Sequence, residues 1–113
     1  MALEIGIEQA GQVTIAAPRG RLDTVGTPLF ESRITTLIRA GTGHLLIDLS
    51  EVHFVISMGI RALLIAADGI AGRGGRFAVC GMSAEVSHVF DVAGIGRMLT
   101  ICASRDEALI QAG

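Results

Sequence analysis

The sequence predicts a mixed α/β domain, with one β-sheet and helices packed mainly on one of its faces. Three observations carry that expectation. Short apolar runs rich in Val, Ile and Leu alternate with longer segments whose apolar residues recur every three to four positions, which is the contrast between strand and helix periodicity. Gly, Pro and Ser fall between those segments, where turns and helix caps are needed. Half of the residues are apolar and the aromatics are four Phe, with no Trp or Tyr, so the core is aliphatic. At 113 residues the chain fits a single domain, 1–113. A chain of this size buries roughly 65% of its unfolded surface and needs no metal or disulfide staple.

Residues 3–8 and 12–17 read as a hairpin, with Ala10-Gly11 as punctuation, and Pro18 and Gly20 mark a turn after it. Thr27 is the expected N-cap of the first helix, with Pro28 at its first position; Leu29, Phe30, Ile34, Leu37 and Ile38 keep helical spacing up to Gly41. The run 44–49, bounded by Gly43 and Ser50, suits a central strand buried on both faces. From 57 to 71, Ile60, Leu63, Leu64, Ala67 and Ile70 define a second helix with Gly72 as the residue past its end. A strand follows at 76–80, then a helix capped by Ser83 that carries Val86, Val89, Phe90 and Ala93 and closes at Gly94. Residues 99–102 form an edge strand, and Ser104-Arg105-Asp106-Glu107 is a capping box opening a C-terminal helix. The expected order is β-β-α-β-α-β-α-β-α, with right-handed crossovers between the parallel strands.

Charge and composition exclude several functions. The nine basic residues are all Arg, eleven acidic residues are scattered among them and the net charge is −2, so nothing here attracts a phosphate backbone and nucleic acid is not an expected partner. Every apolar run is broken by Asp, Arg or Gly well short of the about 18 residues that span a bilayer. Met1-Ala2-Leu3-Glu4 has no basic segment leading into an apolar one, so a secretory signal is not expected and the cytoplasm is. Cys80 and Cys102 lack ligand spacing and read as buried, reduced thiols. No metal or cofactor is expected. His44, His53 and His88 fall at a strand start, in a loop and on a helix, with no nucleophile motif, so the protein is not expected to be an enzyme. The glycines of 71–75 follow a helix and precede a strand, the reverse of a phosphate-binding loop, and read as a cap and tight turn.

One polar site remains. Ser57 stands at or near the N-cap of the second helix, where free backbone amides and the positive end of the helix dipole converge. Two roles fit: a simple cap, or a phosphoacceptor whose added charge of about −1.5 to −2 the helix end tolerates while the surface changes. Val55, Ile56 and Met58 beside it suit either an exposed partner surface or burial beneath a neighbouring loop.

These residues, in this order, resemble the STAS domain, and within it the bacterial anti-sigma factor antagonists. The carrying segments are Gly20-Arg21-Leu22-Asp23, the run 46–63 through Ser57-Met58-Gly59-Ile60, and the stretch 83–95. The resemblance implies a STAS-like mixed sheet and a protein-interaction switch. Its partners would be an anti-sigma factor that is also a serine kinase, and a serine phosphatase that restores the unmodified form. It implies that Ser57 is the phosphoacceptor and that Asp23, Ile56, Ser57, Met58 and Gly59 meet the partner; Asp23 also reads as a turn-forming residue ahead of a helix. A monomer or weak dimer is expected. Most family members have Asp before the phosphoacceptor and Ser or Thr after it, whereas this chain has Ile56 and Met58. That departure makes the site more apolar and favours a runner-up, a non-phosphorylated STAS subunit docking on an ABC-type transporter or other signalling complex.

Overall fold

A computed structural model describes residues 3–112, and their side chains through 110. The expected domain limits at Met1 and Gly113 lie outside the described residues. In chain order the elements are β1 (Glu4–Ala10), β2 (Val13–Leu22), α1 (Gly26–Arg39), β3 (His44–Asp48), β4 (Glu51–Val55), α2 (Ser57–Ala71), β5 (Phe77–Cys80), α3 (Ala84–Ala93), β6 (Thr100–Cys102) and α4 (Arg105–Ala112). All six strands join one sheet in the order β1-β2-β3-β5-β6, with β4 also paired to β2. The β1–β2 pair is antiparallel and every other pair is parallel, which gives the mixed sheet expected from the sequence.

Two strand boundaries differ from the sequence reading. The segment 51–55, expected as part of a loop, is a strand, so His53 lies on β4. The second strand also runs on through Pro18 and Gly20 to Leu22. Both differences have one cause. On one edge β2 pairs with β3 over residues 13–16 and with β4 over residues 19–22, and Pro18, which has no N–H to donate, sits at the change of partner. The register shift between Gly20 and Arg21 lets the extended strand re-aim its last residues.

Side chains alternate across the sheet and sort into two cores. On one face Ala16, Leu45, Ile47 and Val79 pack with Phe30 and Ile34 of α1, Leu63 and Ile70 of α2, and Val86 and Phe90 of α3. On the other, Val13, Ile15, Leu46, Cys80 and Cys102 pack beneath Ala108 of α4. Three helices thus share one face and the short α4 covers the other. Helix closure follows the glycines in part. Gly94 takes the left-handed conformation (φ 71°) and its N–H donates to the Asp91 carbonyl, but Gly72 stays helical (φ −62°) and the left-handed residue is Gly74. Cys80 and Cys102 are both buried, as expected, and form no disulfide with each other.

Candidate functional site

The end of β2 and the start of α2 are tied together at the carboxyl edge of the sheet. Leu22 pairs with Val55, and the Ile56 amide donates to the Leu22 carbonyl at 3.1 Å. Gly59 completes the junction, because a Cβ there would lie 3.0 Å from Leu22 Cβ and 3.1 Å from Val55 Cγ1, closer than real side chains normally approach. The helix start therefore sits directly against the strand that leads into Asp23.

Among the described residues four helices begin, and three of the starts are capped by a side-chain oxygen. Ser83 Oγ accepts from the Val86 amide at 3.2 Å, and Ser104 Oγ from the Glu107 amide at 3.2 Å. Asp23 serves α1: its Oδ1 accepts from the Gly26 amide at 2.7 Å and the Val25 amide at 3.1 Å. Thr27, the expected cap, is instead fully buried with its hydroxyl unpartnered, and its own amide donates to the Asp23 carbonyl at 3.0 Å. The correction has a steric origin. Gly26 packs so closely on the Arg21 carbonyl that a Cβ would collide with it, which draws the helix start back to Asp23.

The α2 start is the exception. Ser57 is the first helical residue rather than the cap; Ile56 holds the cap position in extended backbone (φ −99°, ψ 171°) and offers no acceptor. The Gly59 and Ile60 amides donate back to the Ile56 carbonyl at 2.9 and 3.2 Å. No acidic residue lies in the first turn, so the positive helix end is left without a compensating carboxylate. Ser57 is exposed, Met58 is 43% exposed, Val55 is buried and Ile56 is half-buried, so the apolar run beside Ser57 is divided between core and surface.

Asp23 lies on the same edge, one residue beyond Leu22. Its carboxyl is held below the ordinary carboxylate range chiefly by the Gly26 amide, against some desolvation, with help from the Val25 amide and Arg21. Arg21 Nε stands 4.0 Å from Asp23 Oδ2, and its guanidinium lies over the Phe54 ring at 4.6 Å from the centroid, within cation–π range. Val25 is 70% exposed at this rim. The edge thus presents an ionised carboxylate, an exposed serine and exposed apolar side chains.

A second polar group was not singled out from the sequence. Arg105 of α4 donates to Asp48 Oδ2 from Nε at 3.1 Å and Nη2 at 2.9 Å, and to Glu8 Oε2 from Nη1 at 2.6 Å. Asp48 is buried, and its Oδ1 accepts from the Ser50 amide at 3.0 Å. Burial alone raises the Asp48 pKa, but the Ser50 and Arg105 bonds outweigh it and the carboxyl stays below its usual range. No local pattern links residues 8, 48 and 105; only an Asp ending an otherwise apolar strand hinted at a partner.

Among the described residues no group of His, Cys, Asp and Glu could hold a metal, and no helix is long and apolar enough to cross a membrane.

Comparison with known proteins agrees with this architecture. The chain is 20% identical over 106 residues to BtrV of Bordetella bronchiseptica, named as a candidate anti-sigma factor antagonist, covering 94% of this chain and 91% of BtrV. The crystal structure of an anti-sigma factor antagonist from Mycobacterium paratuberculosis superposes with a TM-score of 0.90 at 22% identity, covering 98% of this chain and 94% of that one. The phosphorylated form of the Bacillus cell-fate determinant SpoIIAA superposes with a TM-score of 0.73 at 20% identity, covering 97% of this chain and 100% of that one. The STAS domain model matches residues 4–108, and the chain belongs to the STAS domain family.

Proposed function

We propose that this chain is an anti-sigma factor antagonist. On this reading it is a cytoplasmic, non-catalytic, single-domain module that docks a serine-kinase anti-sigma factor through the rim carrying Asp23, Ile56, Ser57 and Met58. Phosphate transfer to Ser57 ends the contact, and a serine phosphatase restores it. The observation that carries the reading is the start of α2: an exposed serine at the one helix start, among the described residues, without a capping side chain. A phosphate there meets unneutralised helix amides and leaves the core untouched. It also places new negative charge on an edge that already holds the ionised Asp23, so a partner that fits the unmodified face meets an added charge it must desolvate. Gly59, buried against Leu22 and Val55, contributes by holding Ser57 in place. The names of BtrV and the Mycobacterium structure, and the phosphorylated state of SpoIIAA, support the same reading.

The runner-up, an unphosphorylated STAS subunit on an ABC-type transporter, is favoured by Ile56 and Met58, which put apolar surface where a phosphorylation motif would be polar. Two measurements separate them. Intact mass and fragmentation of protein from its native host locate phosphate on Ser57 under the first reading and find none in any growth state under the second. Ser57→Asp weakens binding to the anti-sigma factor more than tenfold, about 1.4 kcal/mol, with the melting temperature unmoved by more than a few degrees; equal affinity would remove the switch.

A further inference from the structure

We propose that Met58 is an oxidation site: conversion of its thioether to the sulfoxide weakens docking at the α2 start, giving this face a control independent of phosphate. The inference rests on the docking role just proposed for that face. Met58 is the second residue of α2, 43% exposed, directly after Ser57 and two residues from the half-buried Ile56. It is therefore apolar surface at the centre of the proposed contact.

The sulfur chemistry of the chain points the same way. Cys80 and Cys102 are buried, and burial pushes the Cys80 thiol up to about 12, so neither presents an accessible thiolate to an oxidant. Thioethers need no deprotonation, and Met58 and Met98, the latter 65% exposed in the segment after α3, are open to attack. With hydrogen peroxide the sulfur lone pair attacks one peroxide oxygen and the O–O bond breaks. Sulfur is oxidised to the sulfoxide, and the other oxygen leaves as water after proton transfer. A dithiol-dependent sulfoxide reductase reverses the step, removing the oxygen as water and leaving a disulfide in the reductant. The product replaces a flexible apolar tip with a strong dipole, which a contact built for the thioether desolvates without a matching donor.

The test treats the antagonist alone with hydrogen peroxide, removes the oxidant, maps sulfoxide at each of the four methionines by peptide mass and titrates the protein against the ATP-binding anti-sigma factor of the same genome. Each protein is compared with itself before and after treatment. Wild type loses tenfold or more in affinity on conversion of Met58 and regains it with methionine sulfoxide reductase and dithiothreitol. Met58→Leu shows no change on treatment whatever its starting affinity, and Met98→Leu shows the wild-type loss. Unchanged affinity with Met58 fully converted, or an equal loss in Met58→Leu, overturns the oxidation control while leaving the docking role standing. Absence of binding before any oxidation overturns the docking role, and the inference with it.

Discussion

Arg105 and Ser57 each open a helix, α4 and α2, and the two starts are built in opposite ways. At Arg105 the preceding Ser104 caps the helix, and the guanidinium turns back to Asp48 and Glu8. At Ser57 the preceding residue is Ile56, nothing caps the helix and the hydroxyl stands in solvent. Polar groups that are satisfied internally stabilise the fold and have little left to offer a partner; groups left open contribute little to folding and remain available. The Arg105 end locks α4 over the second core, whereas the Ser57 end is free to change chemically without loss of structure.

The sharpest way to break this contrast is Arg105→Met. It removes three charged hydrogen bonds and leaves Asp48 buried without its counter-charge, so stability falls by about 2 kcal/mol, a melting-temperature drop of roughly 10 °C. Anti-sigma factor affinity stays at the wild-type value. A drop of under 2 °C by calorimetry would show that the cluster does not hold α4.

Acid titration sharpens the same contrast. Asp23 and Asp48 both have folded pKa values below their unfolded ones. Their contribution is therefore present above the unfolded carboxylate pKa of about 4 and is lost as pH falls through the depressed folded values. The wild-type melting temperature holds level from pH 7 to near 4 and declines below that. In Arg105→Met the share of this decline that comes from Asp48 shrinks, because only the Ser50 bonds are left to oppose burial and the carboxyl is held down less; superimposable profiles would sink this account.

Smaller effects are expected at α1, whose start combines a cap with an unused group. Asp23→Ala removes the acceptor for two amides and lowers stability in chemical denaturation, by less than Arg105→Met because the site is open to solvent. Thr27→Val replaces a fully buried, unpartnered hydroxyl with a methyl of nearly the same shape and raises stability by up to about 1 kcal/mol. A loss of stability there would mean that the hydroxyl has a partner in solution.

Much of this was legible in the sequence because it depends on local pattern. Ser83, Gly94 and Ser104 punctuate helices where side-chain and backbone preferences alone place them, and the aliphatic runs of β3 and β5 announce buried strands. The segment 51–55 was missed although Val52, Phe54 and Val55 are good strand residues. Only two residues separate it from the end of β3, and a strand is stabilised by its neighbour, here the far half of β2, which no local window contains. Thr27-Pro28 satisfied the local rule for a helix start, and the close packing of Gly26 on the Arg21 carbonyl overrode it.

The sequence by itself determined the aliphatic core, most helix limits, the mixed α/β class and the position of Ser57 at a helix start, because each follows from the periodicity, caps and turns of a few consecutive residues. Tertiary structure alone decided that β2 serves two successive parallel partners, that α4 covers the face opposite the other helices, and that Arg105 reaches across 57 residues to Asp48 and 97 to Glu8. Those contacts join segments remote in the chain, and their energy exists only once the sheet has brought them together.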